Sequence, residues 1–166
     1  MNKTIEVVQV GIADYQIAKE HQHLRTVGLG SCVGVVLYDL HSHVAGLAHI
    51  MLPSSNISKG SSFNLAKYAD TAIPAMVSEL NHTFNTTRNR LHAKIAGGAQ
   101  MFQFSNQSDT MRVGPRNVEA VKETLQSLNI PILVEEIGGT NGRTIEFDPV
   151  TSKLTVRTIY KGTTTI

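Results

Sequence analysis

No tryptophan occurs among the 166 residues, aromatic side chains make up 5% of them, and there is a single cysteine, Cys32. One cysteine closes no internal disulfide, so stability must come from a packed core. So few aromatics leave little material for the base-stacking platforms of single-strand nucleic-acid binders. Charge is scarce too, at 17%, below the roughly 25% of an average soluble protein. The balance of 15 Lys and Arg against 13 Asp and Glu gives a net charge of +2, and no basic run marks a nucleic-acid groove. The longest apolar stretch, Val27 to Tyr38, is interrupted by glycines and falls short of the ~20 residues that cross a bilayer. The first residues lack the apolar segment of a secretory signal. The expectation is one cytoplasmic domain spanning 1–166, with neither nucleic-acid binding nor membrane insertion.

What is present reads as a mixture of strands and two helices. The β-branched stretch Ile5 to Ile12 predicts a strand, as do Val33 to Tyr38 and His43 to Met51, which flank the turn-like Asp39-Leu40-His41-Ser42. Leu65, Tyr68 or Ala69, Ala72 or Ile73, Met76 and Leu80 repeat at helical spacing. Pro74 interrupts that spacing, so the helix either kinks there or begins near Asp70. A second helix opens at Gly114-Pro115 and shows one face through Val118, Val121, Leu125 and Leu128. Leu91 to Ala96, Ile130 to Ile137, Arg143 to Phe147 and Leu154 to Tyr160 complete the predicted strands, the last two as a pair. Several strands without strict alternation with helices indicate an α+β fold.

The densest chemical signal is Thr26-Val27-Gly28-Leu29-Gly30-Ser31-Cys32-Val33-Gly34. As a nucleotide loop it fails, because its glycine spacing is one residue too long and a strand, not a helix, follows. Cys32 has two readings: a small buried hydrophobe, or a nucleophile at a sheet end activated by a histidine. A hairpin turn centred between Leu40 and His41 sets residue i opposite residue 81 − i, which places His49 across from Cys32. Opposed side chains lie close enough for a thiolate–imidazolium pair, and a one-residue slip would turn His49 to the other face. His21, His23, His41 and His43 lie in polar connections, and with one cysteine a closed metal site is not expected. Gly97-Gly98 and Gly138-Gly139 are either plain turns or places of close backbone approach to a substrate. Met101, Phe102 and Phe104 form a local apolar group suited to core packing or to a partner surface.

These residues resemble a known family. Thr26 to Cys32, Ala48-His49-Ile50-Met51-Leu52-Pro53, Lys67-Tyr68-Ala69-Asp70-Thr71-Ala72, Lys94 to Phe102, Gly114-Pro115-Arg116-Asn117 and Gly138-Gly139 are similar to the motifs of the chemoreceptor glutamine deamidases, the CheD family, in its Bacillus-type form. The resemblance implies a layered α/β sandwich of mostly antiparallel strands, like the catalytic domains of glutamine-deamidating toxins. It implies Cys32 as nucleophile, His49 as base and acid, and Thr26 as the residue orienting the imidazole, without a cofactor or a metal. Ser31, Gly97 and Gly98 then become candidates for the oxyanion and substrate pocket, and Phe102 for a partner surface. The implied partners are the cytoplasmic regions of methyl-accepting chemotaxis receptors and the chemotaxis phosphatase CheC. Two other classes stay open: a regulatory module acting on CheC with catalysis secondary, and a different thiol enzyme. A papain-type protease would set its histidine some 130 residues beyond the cysteine, whereas His49 follows Cys32 by 17. A transglutaminase shares the thioester step and differs only in its acceptor.

Overall fold

The computed structural model describes residues 4–57, 63–101 and 112–166. Its centre is a hairpin of two strands buried along their whole length, β4 (Val33–Asp39) and β5 (Val44–Ile50). Their side chains divide between two layers, as strand alternation requires. Val33, Val35, Leu37, Ala48 and Ile50 pack toward the helices, whereas Val36, Tyr38, Ala45 and Leu47 pack toward a second sheet.

The central sheet has the order β2-β5-β4-β6-β7, with β2 at Tyr15–Ala18, β6 at His92–Gly97 and β7 at Ile132–Ile137. Covering one face of it are α1 (Ala69–Phe84), through Ala72, Ile73, Met76 and Leu80, and α2 (Val113–Ser127), through Val118, Val121 and Leu125. The other face meets a sheet of order β1-β3-β8-β9-β10. In that sheet β1 is Glu6–Gln9, β3 Gln22–Leu29, β8 Arg143–Asp148, β9 Lys153–Thr158 and β10 Gly162–Thr165. Leu24, Ile145, Phe147, Leu154 and Val156 fill the space between the sheets. The result is a helix–sheet–sheet sandwich of the expected α+β class. Among the described strand pairs, β1–β3 and β6–β7 are parallel and the others antiparallel.

Gly34, at the second position of β4, is what allows the sheets to close. A Cβ there would lie 2.6 Å from the end of Ile145 and 3.2 Å from Leu29. The predicted pairing of Arg143–Phe147 with Leu154 onward is present as β8–β9. Pro74 sits inside α1, which starts at Ala69. The N–H it lacks would have served the carbonyl of Asp70, so α1 gives up one intrahelical hydrogen bond in its second turn.

The sequence reading misses β2, β3 and β10, and two further differences bear on the site. His23, expected in a polar connection, lies on β3, pinned by Glu146 at 2.9 Å and Asp148 at 3.6 Å. The central hairpin pairs Val33 with Ile50 and Gly34 with His49, so residues 40–43 form a four-residue loop and the register is two residues from the expected one. His43 takes a left-handed conformation, φ 53°, which lets the longer loop turn. Because side chains alternate with period two, this shift keeps His49 on its expected face.

Candidate active site

Three segments meet at one edge of the space between the sheets. β3 brings Thr26, fully buried, and then bulges: Thr26 pairs with Ile145 but Leu29 with Arg143, so one extra residue is accommodated. Gly28 absorbs it with a left-handed φ of 74°. Bulges of this kind redirect a strand near functional groups, and here the chain leaves the second sheet to enter β4 through Gly30-Ser31-Cys32.

β5 brings His49, fully buried and on the face shared by Ala45 and Leu47. Cys32, half-buried, packs into the same layer. The residue opposite His49 is Gly34 and not Cys32, so the thiol stands diagonal to the imidazole on one face. Diagonal neighbours in an antiparallel pair remain within reach of long side chains.

The hydrogen bonds of His49 fix its tautomer. The Thr26 hydroxyl has one proton and donates it to the backbone carbonyl of Val10 at 2.7 Å. It lies 2.7 Å from Nδ1 of His49, and with its proton committed it accepts there. Neutral His49 therefore carries its proton on Nδ1, and Nε2 keeps a bare lone pair. Among the described residues Nε2 has no hydrogen-bond partner.

Burial pushes His49 down from 6.5 to about 4. Burial also pushes the Cys32 thiol up, opposed by its own backbone N–H. Both shifts favour the uncharged forms, so the resting pair is thiol and imidazole, in contrast to the thiolate–imidazolium pair that the spacing suggested.

A pH dependence of stability follows. An imidazole that stays neutral when folded but protonates near 6.5 when unfolded makes the unfolded state the better proton binder between about pH 6.5 and 4. Stability is then fully present above pH 6.5 and falls as the pH drops toward 4, by up to about 3 kcal/mol. Urea unfolding across that range should show the wild type losing this much relative to His49→Asn. Parallel curves for the two proteins would contradict it.

Cys32 is held from behind by three successive carbonyl bonds. Ala99 N–H donates to Gly30 O at 2.8 Å and Gly98 N–H to Cys32 O at 2.8 Å. Nδ2 of Asn117 on α2 donates to Ser31 O at 3.0 Å. Gly97 and Gly98, candidates for a substrate pocket, thus lie against the backbone of Cys32 itself. A Cβ on Gly97 would stand 2.3 Å from Cys32 O, and its φ is +111°. Gly97→Ala is expected to lower stability by about 3 kcal/mol, combining backbone strain with overlap. Unchanged urea unfolding would contradict that packing.

Asn117 belongs to the Gly114-Pro115-Arg116-Asn117 motif, which alone does not show its role. Fully buried, it bonds both Ser31 O and Met51 O at 3.0 Å. The signal was present: Asn117 precedes Val121 and Leu125 by four and eight residues, so a polar side chain occupies the apolar stripe of α2. Phe102 and Phe104 lie outside the described residues. Met101 is exposed, with its side chain 3.4 Å from where a Gly30 Cβ would be. Among the described residues, no three His, Cys, Asp or Glu side chains gather as a metal would require.

Fold and site together define an α+β sandwich in which a lone thiol and a buried imidazole of fixed tautomer share one face. The sequence model of the family described as CheD chemotactic sensory transduction matches residues 51–158. The chain belongs to the CheD family. The chemoreceptor glutamine deamidase CheD of Halalkalibacterium halodurans is 55% identical over 157 residues, covering 95% of this chain and 96% of that protein. The protein of the same name from Bacillus licheniformis is 52% identical over 166 residues, 100% of this chain and 98% of that one. That of Bacillus subtilis is 50% identical over 160 residues, 96% of each. Among solved structures, the Bacillus licheniformis hypothetical protein YfiH has a TM-score of 0.47 at 15% identity, covering 74% of this chain and 49% of that one.

Proposed function

We propose that the protein is a protein-glutamine deamidase, hydrolysing glutamine side chains in the cytoplasmic regions of methyl-accepting chemotaxis receptors to glutamate with release of ammonia. The observation that carries this reading is the chain from Val10 O through Thr26 to His49, which leaves a bare Nε2 on the face that also holds the only cysteine. The family and the names of the relatives supply the substrate class.

In the proposed reaction Nε2 of His49 takes the thiol proton as Cys32 Sγ attacks the carboxamide carbon. The carbonyl electrons move to oxygen, where the backbone N–H groups of Ser31 and Cys32 receive the charge. The tetrahedral intermediate collapses by breaking the C–N bond, and His49 returns its proton to the departing ammonia. A thioester remains. Water then gives a proton to Nε2 and attacks the thioester carbon, and collapse breaks the C–S bond to yield glutamate. His49 passes the proton back to sulfur. Protonation of His49 near pH 4 removes the base, so the rate should fall on the acid side of that value and be insensitive to His49 above it.

Water as acceptor, rather than a protein amine, separates this from transglutamination. The CheC phosphatase is carried as a further partner on the family resemblance alone. The test is mass spectrometry of a purified chemoreceptor cytoplasmic fragment after incubation with the protein. Amide-to-acid conversion at specific glutamines with matching ammonia release supports the reading. An unaltered fragment, or one cross-linked through its glutamines, overturns it.

A further inference from the structure

The peptide bond between Ser31 and Cys32 has its carbonyl on one side and the Cys32 N–H on the other, because a trans peptide is planar and sets the two groups in opposite directions. The carbonyl is directed to α2 by Nδ2 of Asn117 at 3.0 Å. Since α2 covers the helix side of the central sheet, the Cys32 N–H is turned toward the opposite side, where the Cys32 side chain packs and His49 faces. Neither the Ser31 nor the Cys32 N–H donates to a backbone carbonyl among the described residues.

The same Nδ2 group has a second proton, which goes to Met51 O at 3.0 Å, two residues beyond His49. One primary amide therefore spans the approach to the thiol and the exit from the strand that carries the imidazole. Both donors are used, and no other residue type of this size offers two N–H protons from one nitrogen without charge. The helix that carries Asn117 is itself seated closely, for a Cβ on Gly114 would lie 2.2 Å from Ala99 O and 2.7 Å from Gly98 O. That contact sets the distance at which Asn117 reaches the loop.

We propose that Asn117 is a positioning residue for the oxyanion site, holding the Ser31–Cys32 peptide so that the Cys32 N–H meets the charge that develops on the substrate carbonyl. It touches no reacting atom. Its donation to Ser31 O also polarises the amide, strengthening the N–H on the other side. This rests on the deamidase reading above.

The test separates proton abstraction from oxyanion stabilisation. Alkylation of Cys32 by iodoacetamide needs the thiolate and no oxyanion site, whereas deamidation of a receptor fragment needs both. In Asn117→Leu, of similar volume with no donors, and Asn117→Ser, small with one, kcat should fall about 10- to 100-fold. That is less than the ~10²–10³ for outright loss of an oxyanion donor. KM, the alkylation rate and the pH profile of alkylation should stay within about twofold of wild type. If kcat is retained in either folded variant, or if alkylation falls in parallel with turnover, Asn117 is structural and the proposal is wrong. A wild-type protein that alkylates but deamidates nothing removes the deamidase reading instead, before any variant is compared.

Discussion

Cys32→Ala and His49→Ala are each expected to lower deamidation of a receptor fragment by about 10⁴-fold or more, and the double variant should be no worse than either single one. In the proposed reaction thiol and imidazole act as one unit. Burial holds the thiol protonated and the imidazole neutral, so neither has independent catalytic value: without Nε2 the sulfur keeps its proton, and without the sulfur the base has nothing to activate. Additive losses in the double variant would show two separate contributions and contradict this pairing. His49→Asn, closer in size and suited to the buried site, should fold and be equally inactive.

The next largest effect belongs to Thr26. Its hydroxyl donates to Val10 O and accepts from Nδ1 of His49, and so dictates which nitrogen is bare. Thr26→Val keeps the shape but removes the acceptor. Nδ1–H is then left buried and unpaired, the other tautomer becomes competitive, and Nε2 carries the proton in part of the population. Loss of the tautomer-setting group in a serine protease costs about 10⁴-fold. That partner is a carboxylate, which also stabilises imidazolium, whereas Thr26 is uncharged and supplies orientation alone. A fall of about 10²-fold in kcat is expected, with Thr26→Ser close to wild type because it restores the hydroxyl. Equal losses in Thr26→Ser and Thr26→Val would place the effect in packing rather than in the tautomer.

The parts of this arrangement were unequally legible in the sequence. The two central strands announced themselves as largely apolar runs because both of their faces are buried. Their register did not, since it depends on the backbone conformation of His43 in a four-residue loop, and loop length is set by geometry that composition does not carry. The error of two residues preserved the face of His49, so the pairing with Cys32 emerged as diagonal instead of direct. β2 and β3 were hidden for a different reason. Gln22-His23-Leu24-Arg25-Thr26 alternates polar with buried residues across a sheet whose outer face is open to solvent, and the bulge at Gly28 breaks its pattern. Cys32, His49 and Thr26 were recognisable as a set from the family motif, but what Thr26 does depends on Val10 O, a backbone atom with no signature in side-chain identity. Asn117 was visible as a polar residue in an apolar helical stripe, yet its targets are also backbone carbonyls.

In the proposed mechanism Cys32 becomes acylated by a receptor glutamine and water completes the reaction. Rapid acid quenching of the protein with a receptor fragment, in water enriched in oxygen-18, followed by peptide mapping, tests it most directly. The expected result is a receptor glutamine joined, less ammonia, to the peptide containing Cys32 at early times, and a single heavy oxygen in each new glutamate at later times. Deamidated receptor that forms with no adduct on Cys32 at any time, or that still forms in Cys32→Ala, would contradict it.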